Sequence, residues 1–421
     1  MKRKPRLLVV GDYNRNDFLA SFNSLLNDAE FYFIEFASEV EVLNLNYKKF
    51  GQAIFWKDFS DAYELIQKVK PDKIVFFFIE SFNHVALNAS CKVKGIKTYH
   101  LEHGFRDNEL KKIVLQNSTL QRASIDGSKK ISFKARLFTK LFFFNTVIKS
   151  PFNTAYLLLK FYSIRYRNSI ATTFLKFDSF IRKADSYISF SPKIFSVHKL
   201  TDHLDDNYDV EFIGIPTFDH FLSTNNIKIK RSENTALLID QPFISQGLLG
   251  WDSNNKQKFI DEVLLFCKTN NLELNIKLHP LGTVDNELWA NSIKNLHFAR
   301  IVDQEGLLEL LPNVSVVFGF YSTLLMPFAA LPDIVCVCFE NHPALTMNPF
   351  VCSHAFVDSG VALQIQQVTE LNNFTSRLSD LRELQNISKR SFIESWMYKF
   401  DGKSGERLRN ILLSINEPTV S

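Results

Sequence analysis

The first segment that could do chemistry follows a predicted strand in the second half of the chain. The run 272–278 predicts a buried strand, whose end carries Lys277, with His279 and Pro280 directly after it. An imidazole at a strand end can donate a hydrogen bond or a proton to a phosphate oxygen as a bond to that oxygen breaks. Lys277 adds positive charge, and Pro280 ends the strand and fixes the turn. We therefore expect His279 to assist the departure of a phosphate group.

A second segment follows about forty residues later. The predicted strand 314–318 runs into Gly319, Ser322 and Thr323, and then into an apolar helix. Hydroxyls and amides at a helix N-terminus form an anion site. Ligands bind at the carboxyl ends of the strands in open α/β sheets, so the two segments together predict one phosphate-binding edge. Two unrelated turns are the alternative.

The first half of the chain carries a third segment, at the end of a predicted strand that finishes at Leu101. Glu102, His103, Gly104 and Arg106 follow that strand. A carboxylate or an imidazole in this position can act as a general base, and the glycine permits a tight turn. A solvated loop that contains a histidine by chance is the alternative interpretation.

These segments belong to a repeating alternation of strands and helices. Strands that are apolar on both faces alternate with amphipathic helices in both halves of the chain, which is typical of parallel α/β sheets. We predict two Rossmann-like domains, over residues 1–222 and 233–421, with a polar linker between them. The first strands of the two halves end in Asp12 and Asn14 and in Asp240 and Gln241, respectively.

Composition excludes several classes of protein. The chain has 421 residues, a net charge of +4 and 22% charged residues, which favours a folded protein with two domains. Five cysteines without zinc-like spacing fit reduced thiols in the cytoplasm. The N-terminal apolar run is too short for a signal peptide. The uncharged stretch 314–331 contains Gly, Ser, Thr and Pro, so we interpret it as strand, turn and helix rather than as a membrane span. No GxGxxG fingerprint follows the first strand, and no DxD-type metal signal stands at a suitable strand end.

The stretch 127–177 differs from the rest of the chain. It contains no Asp or Glu, and Lys and Arg residues alternate there with Phe and Tyr. This composition is typical of surface helices that lie on anionic lipid. Two alternatives remain: core helices with solvated basic faces, and contact with nucleic acid, for which the chain has no recognisable motif.

The three segments resemble motifs of bacterial sialyltransferases and polysialyltransferases. Residues 277–280 resemble their HP motif, and residues 319–325 resemble their Ser/Thr motif. Residues 102–104 stand where that family has an acidic–acidic–Gly motif, with His103 in place of the second acid. The resemblance implies a GT-B fold, with two Rossmann-like domains facing a central cleft and a C-terminal helix that crosses back. It also implies a CMP-sialic acid donor, inversion at the anomeric carbon and a base within residues 102–104.

A histidine before glycine, together with an HP motif, also resembles the CDP-glycerol glycerophosphotransferases of teichoic-acid synthesis. Residues 214–216 and 401–407 are similar to further pieces of that family, but its HGTPxK continuation is missing. Bacterial Kdo transferases share the general pattern. Transfer of a polyol phosphate from a CDP donor, or of Kdo from CMP-Kdo, is therefore an alternative. A sugar-nucleotide epimerase and a non-catalytic binding protein are further alternatives.

We predict an inverting, metal-independent glycosyltransferase of bacterial capsule or lipopolysaccharide synthesis. We expect a CMP-linked, sialic-acid-like donor, a glycan or lipid-linked glycan acceptor, no cofactor and no nucleic-acid partner. The expected location is the cytoplasm, with peripheral contact at the inner membrane. The predicted reacting residues are Glu102, His103 and His279; the donor-binding residues are Lys277, Pro280, Ser322, Thr323, Gly319, Asp240 and Gln241; and the acceptor-side residues are Asp12, Asn14, Gly104 and Arg106.

Overall fold

The computed structural model describes residues 3–104, 133–223, 234–245, 247, 250–280, 282–320, 322–339, 355–365, 367–371 and 374–414. The chain folds into two units. The first unit contains the described residues of 1–104, 128–219 and 401–421, and the second contains those of 220–400. Each unit has one sheet, and the described strands of both sheets pair in parallel. The predicted α/β class is confirmed.

The sheet of the first unit has seven strands in the order β3-β2-β1-β4-β5-β6-β7. The central strands are apolar on both faces because helices cover both sides of a parallel sheet. Leu7 and Val10, for example, are completely buried in β1. The strands are β1 (Arg6–Val10), β2 (Glu30–Ile34), β3 (Gly51–Ala53), β4 (Lys73–Phe76), β5 (Thr98–Leu101), β6 (Ser186–Ser189) and β7 (Val210–Phe212).

The sheet of the second unit has six strands in the order β10-β9-β8-β11-β12-β13. The strand β8 lies between β9 and β11, so the chain crosses over twice to place the two predicted phosphate-binding segments on either side of it. The strands are β8 (Thr235–Ile239), β9 (Glu273–Lys277), β10 (Ala299–Val302), β11 (Val316–Gly319), β12 (Val335–Cys338) and β13 (Leu363–Gln364).

The α-helices of the described residues alternate with these strands. Several carry the expected caps: Asp61 accepts hydrogen bonds from the amides of Tyr63 and Glu64, and Ser191 accepts one from the amide of Ile194. The helices are α1 (Asn16–Ala20), α2 (Ala62–Val69), α3 (Phe82–Lys94), α4 (Phe133–Lys149), α5 (Phe152–Arg167), α6 (Ile170–Lys176), α7 (Pro192–Asp202), α8 (His220–Ser223), α9 (Ser253–Thr269), α10 (Thr283–Ile293), α11 (Gln304–Leu310), α12 (Leu325–Ala330), α13 (Ala355–Asp358), α14 (Phe374–Phe392) and α15 (Ser404–Leu413). Among the described residues, none of the helices combines the length and the apolar composition needed to cross a membrane.

The C-terminal helix α15 belongs to the first unit, as the predicted return of the chain requires. The Asp219 carboxylate accepts hydrogen bonds from the amides of Ser404 (3.0 Å) and Gly405 (2.7 Å) at its start. At its other end, the ammonium group of Lys73 donates a hydrogen bond to the carbonyl oxygen of Ser414 (2.7 Å). The observed division therefore differs from the predicted one, which assigned residues 233–421 to a single domain.

We predict that Asp219→Ala weakens the attachment of α15. Loss of a side chain that caps a helix N-terminus costs about 1–2 kcal/mol of the free energy of unfolding. Urea unfolding measures this change. The matched control is Asp206→Ala, which removes an exposed ion pair with Lys199 and should leave the stability unchanged. Equal stability of the two variants would contradict the capping role.

Candidate functional site

The carboxyl ends of three neighbouring strands meet at one edge of the second sheet. Ile239 at the end of β8 pairs with Lys277 of β9 on one side and with Gly319 of β11 on the other. The amide of Asp240 then donates a hydrogen bond to the carbonyl oxygen of Lys277 (3.0 Å). The sheet therefore brings together the strand ends that carry the predicted donor-binding residues.

The backbone holds the turn after β9 at His279. The His279 carbonyl oxygen accepts hydrogen bonds from the amide of Gly282 (3.0 Å) and from Nδ2 of Asn286 (3.1 Å). A Cβ atom at Gly282 would lie 2.8 Å from Oδ1 of Asn286, so a larger residue there would require this side chain to shift. Pro280 is exposed in this turn, whereas His279 is half-buried. Two hydrogen bonds from the following residues thus fix the backbone at His279.

Lys277 stands at the same edge as a half-buried cation. Burial lowers the pKa of its ammonium group, and the charge of Asp303 partly opposes this effect. A partly desolvated cation is attracted to an anion more strongly than an exposed one, because water screens it less. Lys277 is therefore suited to contact a phosphate, and this role stays a prediction.

The turn after β11 uses Ser322 in two ways. Its Oγ atom accepts a hydrogen bond from the amide of Leu324 (3.2 Å), and its carbonyl oxygen accepts one from the amide of Leu325 (3.0 Å). The carbonyl oxygen of Thr323 likewise accepts a hydrogen bond from the amide of Met326 (3.1 Å). We expected free amides at this helix N-terminus to bind an anion. These three amides already donate hydrogen bonds within the turn, so they cannot serve as free donors. The half-buried hydroxyls of Ser322 and Thr323 remain as candidate donors to a phosphate oxygen.

The carboxylate of Asp240 has a different environment from the one we expected. It is buried, and Lys256 donates to both of its oxygens, at 2.6 and 2.9 Å. The same ammonium group donates to the carbonyl oxygen of Gln241 (3.1 Å) and lies 3.5 Å from Asp285. Burial raises the pKa of Asp240, and the attraction of Lys256 works against this. The side chain of Asp240 thus fixes the end of β8, and a direct contact with the donor stays a prediction.

Sequence reasoning missed Lys256 and Asp285. Lys256 is completely buried on α9, where it stands in register with the apolar positions Phe259 and Val263. A lysine within an apolar stripe was the signal that could have revealed it. Asp285 accepts hydrogen bonds from the amides of Ile244 (3.2 Å) and Ser245 (3.0 Å). The pair therefore holds the loop that follows β8.

The first unit places Glu102 and His103 directly after β5. Glu102 is 0% exposed, and its Oε2 atom lies 2.6 Å from Nε2 of His198 on α7. Its Oε1 atom accepts a hydrogen bond from the amide of His103 (3.0 Å). The His103 side chain is 13% exposed, and its ring packs against those of Phe18 and Phe78. Of the two candidate bases, His103 is the one with a surface that solvent can reach.

The predicted acceptor-side residues of the first strand end have structural partners. Asp12 accepts a hydrogen bond from the amide of Asn14 (3.0 Å), and burial raises the pKa of its carboxyl group despite that bond. The side chain of Asn14 bonds to the carbonyl oxygen of Glu41 (3.0 Å) and to the amides of Leu43 and Asn44. Asn14 therefore secures the loop that follows β1, and contact with an acceptor stays a prediction for both residues.

The remaining predicted residue positions give less information. Gly104 does not have a positive φ angle, and a Cβ atom there would meet no described atom within 4 Å. Arg106 lies outside the described residues. Within the described part of the chain, no group of three or more His, Cys, Asp and Glu side chains could hold a metal ion.

Comparison with known families gives one match. The model of the family "Alpha-2,8-polysialyltransferase (POLYST)" matches residues 24–338, a range that includes Glu102, His279 and Ser322. No curated protein sequence matches the chain.

Solved structures match the fold over nearly the whole chain. The wall teichoic acid polymerase TagF superposes with a TM-score of 0.52 and 11% identity, covering 98% of this chain and 89% of that one. The spinosyn forosaminyltransferase SpnP has a TM-score of 0.49 and 12% identity, covering 98% and 100%. The UDP-GlcNAc 2-epimerase of Methanocaldococcus jannaschii has a TM-score of 0.48 and 12% identity, covering 97% and 99%. At this identity the match with TagF shows the fold alone, and that fold is GT-B.

We predict that Lys256→Met strongly destabilises the second unit. The substitution keeps the length of the side chain but leaves the buried carboxylate of Asp240 without its cation, which costs about 3–5 kcal/mol. Chemical unfolding followed by tryptophan fluorescence measures the loss. The control is Lys258→Met on the exposed face of the same helix, which should unfold like the unchanged protein. A Lys256→Met protein as stable as this control would contradict the assigned ion pair.

Proposed function

Because the chain belongs to the alpha-2,8-polysialyltransferase family and is a glycosyltransferase with a GT-B fold, we propose that it transfers sialic acid or a related nonulosonic acid from a CMP-linked donor. The proposed acceptor is a glycan or a lipid-linked glycan of a bacterial capsule or lipopolysaccharide. The observation that carries this proposal is the alignment of His279 and Ser322 at one edge of the second sheet, in a chain whose family match spans both positions.

The proposed chemistry is a single inverting displacement. The acceptor hydroxyl loses its proton to a base within residues 102–104, and its oxygen forms a bond to the anomeric carbon. The bond from that carbon to the phosphate oxygen breaks, and its electron pair remains on the phosphate. His279 then donates a hydrogen bond or a proton to this oxygen, while the hydroxyls of Ser322 and Thr323 and the charge of Lys277 stabilise the developing anion. No metal is proposed for this step, because protein groups supply the charge.

A second candidate is the transfer of a polyol phosphate from a CDP-linked donor, which places the attack at phosphorus. The observation that favours it is His103, which occupies the position of the second acid in residues 102–104. Kdo transfer from CMP-Kdo is a variant of the first proposal. Attack at the phosphorus that carries the polyol of a CDP-linked donor releases CMP, as does attack at the anomeric carbon of a CMP-linked sugar, so the donor that is consumed separates the two candidates and the leaving nucleotide does not.

We predict that CMP and CMP-sialic acid stabilise the protein in a thermal-shift screen against CMP, CDP, UDP, GDP and CMP-sialic acid. A ligand that binds the native state raises the melting temperature by an amount that grows with the logarithm of its concentration over its Kd. His279→Ala should weaken CMP binding by about tenfold or more, since a hydrogen bond to a charged group is lost. The exposed His297→Ala is the matched control. Because CMP leaves in both candidate reactions, a shift with CMP but none with CMP-sialic acid favours polyol-phosphate transfer, and a shift with UDP alone overturns the CMP-linked donor.

We further propose that the enzyme contacts the inner face of the bacterial inner membrane through α4 and α5, called here the basic hairpin. One side of this hairpin is anchored in the first unit, where Phe142, Phe143 and Phe161 are buried. The opposite side exposes apolar residues, including Ile148 (80% exposed) and Phe152 (86% exposed).

The exposed residues of the basic hairpin fall into helical stripes. Phe152, Tyr156, Leu159 and Tyr166 recur every three, four or seven residues along α5, so they share one face. The exposed cations Lys140, Lys160 and Arg167 lie on the same two helices. Apolar and aromatic side chains that enter the lipid interface, flanked by cations and without acidic residues, complement an anionic membrane surface.

We predict that the purified protein floats with vesicles that contain anionic lipid and not with neutral vesicles. The triple substitution of Lys140, Lys160 and Arg167 by Glu should abolish flotation, because each cation near the surface contributes about 1 kcal/mol. The matched control is a triple substitution to Glu of cations exposed in the second unit: Lys258, Lys268 and Lys294. Equal flotation of both triple variants, or none by the unchanged protein, would reject the membrane contact.

A further inference from the structure

A group of buried polar side chains, formed by Glu102, His198 and Asp202, lies behind the end of β5. His198 on α7 is 3% exposed, and its Nε2 atom lies 2.6 Å from Oε2 of Glu102. Its Nδ1 atom lies 3.8 Å from Oδ2 of Asp202. The contact between Glu102 and His198 joins residues that are 96 positions apart. It therefore depends on the packing of α7 against the sheet.

At one end of this group of side chains, Asp202 is held by two hydrogen bonds. The Asp202 carboxylate accepts hydrogen bonds from Arg182 (2.8 Å) and from the hydroxyl of Tyr187 (2.8 Å). Burial would raise the pKa of Asp202, but His198 and Arg182 hold it well below the ordinary value. The ring of His100 also packs edge-on against that of His198, with centroids 4.5 Å apart. His198 is thus fixed from several elements of the first unit.

At the other end of this group of side chains, Glu102 contacts His103. A carboxylate only accepts hydrogen bonds, so Nε2 of His198 carries a proton when Glu102 is ionised. The other oxygen of Glu102 accepts the amide of His103 at 3.0 Å and lies 3.8 Å from Nδ1 of its ring. A negative oxygen on this side favours the tautomer with the proton on Nδ1. Nε2 of His103 is then the nitrogen that can accept a proton.

We propose that His198 is a positioning residue that holds Glu102 in place, and that Glu102 in turn orients His103 to take the proton of the acceptor hydroxyl. This inference deepens the proposed function and rests on it for the identity of the reaction. Glu102 is completely buried, whereas the ring of His103 is partly exposed between Phe18 and Phe78. The proton moves from the acceptor hydroxyl to Nε2 of His103 as the bond from oxygen to the anomeric carbon forms. His103 later returns the proton to water.

The decisive variants are His198→Phe, which keeps a ring but removes the donor, and His198→Gln, which keeps an amide donor. We expect His198→Phe to lower kcat by about tenfold to a hundredfold with the KM for donor unchanged, because orientation is lost and donor binding is not. His198→Gln should recover most of this loss. His297→Gln, at an exposed site, is the control and should behave like the unchanged enzyme.

A second readout is independent of turnover. Nitrogen NMR of ¹⁵N-histidine-labelled protein reports the ring tautomer, and His103→Gln identifies the signals of His103. We expect the Nδ1–H tautomer of His103 in the unchanged protein and in His198→Gln, and a mixture of tautomers in His198→Phe. A structural role of His198 alone would lower the melting temperature without changing either the tautomer or kcat for the folded fraction.

Three results would overturn the proposal: an unchanged tautomer in His198→Phe, an unchanged kcat in that variant, or a Glu102→Gln enzyme that is inactive while His103→Gln is active. The last result would mean that Glu102 itself takes the proton. A failure of the proposed function looks different. In that case the unchanged protein turns over none of the donors, and the tautomers still test the contact between His198, Glu102 and His103.

Discussion

Parallel strand pairing is the constraint on which the candidate residues of both sheets depend. The described strands of each sheet run in one direction, so their carboxyl ends, and the polar residues that follow them, collect at a single edge. The crossover that places β8 between β9 and β11 separates His279 from Ser322 by one strand rather than by the forty residues of sequence between them. A two-sided apolar sheet therefore sets the spacing of the groups that we propose to bind phosphate, which lie in the turns after the strands.

Each edge is backed by a buried set of charges. Behind β8, Lys256 neutralises Asp240 and approaches Asp285; behind β5, His198 lies between Glu102 and Asp202. Removing ions from water is costly, and well-packed apolar side chains would often give equal or greater stability. These buried groups instead fix the local geometry, because a carboxylate with fixed partners sets the direction of the strand end and of the next backbone amide.

The parts of this architecture that depend on local sequence patterns could be predicted from the sequence. The apolar runs around Leu8 and Val317 and the alternating segment around Ile276 predicted three strands correctly, and the prolines and glycines after them marked the turns. The partners of Glu102 and Asp240 could not be predicted, because His198 lies 96 residues from Glu102 and no local pattern reports the packing of α7 on the sheet. The hydrogen bonds that Ser322 accepts from the amides of its turn could not be predicted either, because they depend on backbone geometry.

Burial and existing hydrogen bonds indicate which polar residues at the strand ends are suited to react. A buried carboxylate such as Asp240 or Glu102 already has partners at its oxygens, so contact with substrate would require breaking those bonds. His279, Ser322 and His103 are held by their backbones or by packing and still keep part of their side chains exposed. Buried partners with fixed positions at a strand end orient the partly exposed imidazoles and hydroxyls that we propose as reacting groups, and this orientation lowers the cost of reorganisation during the proposed reaction.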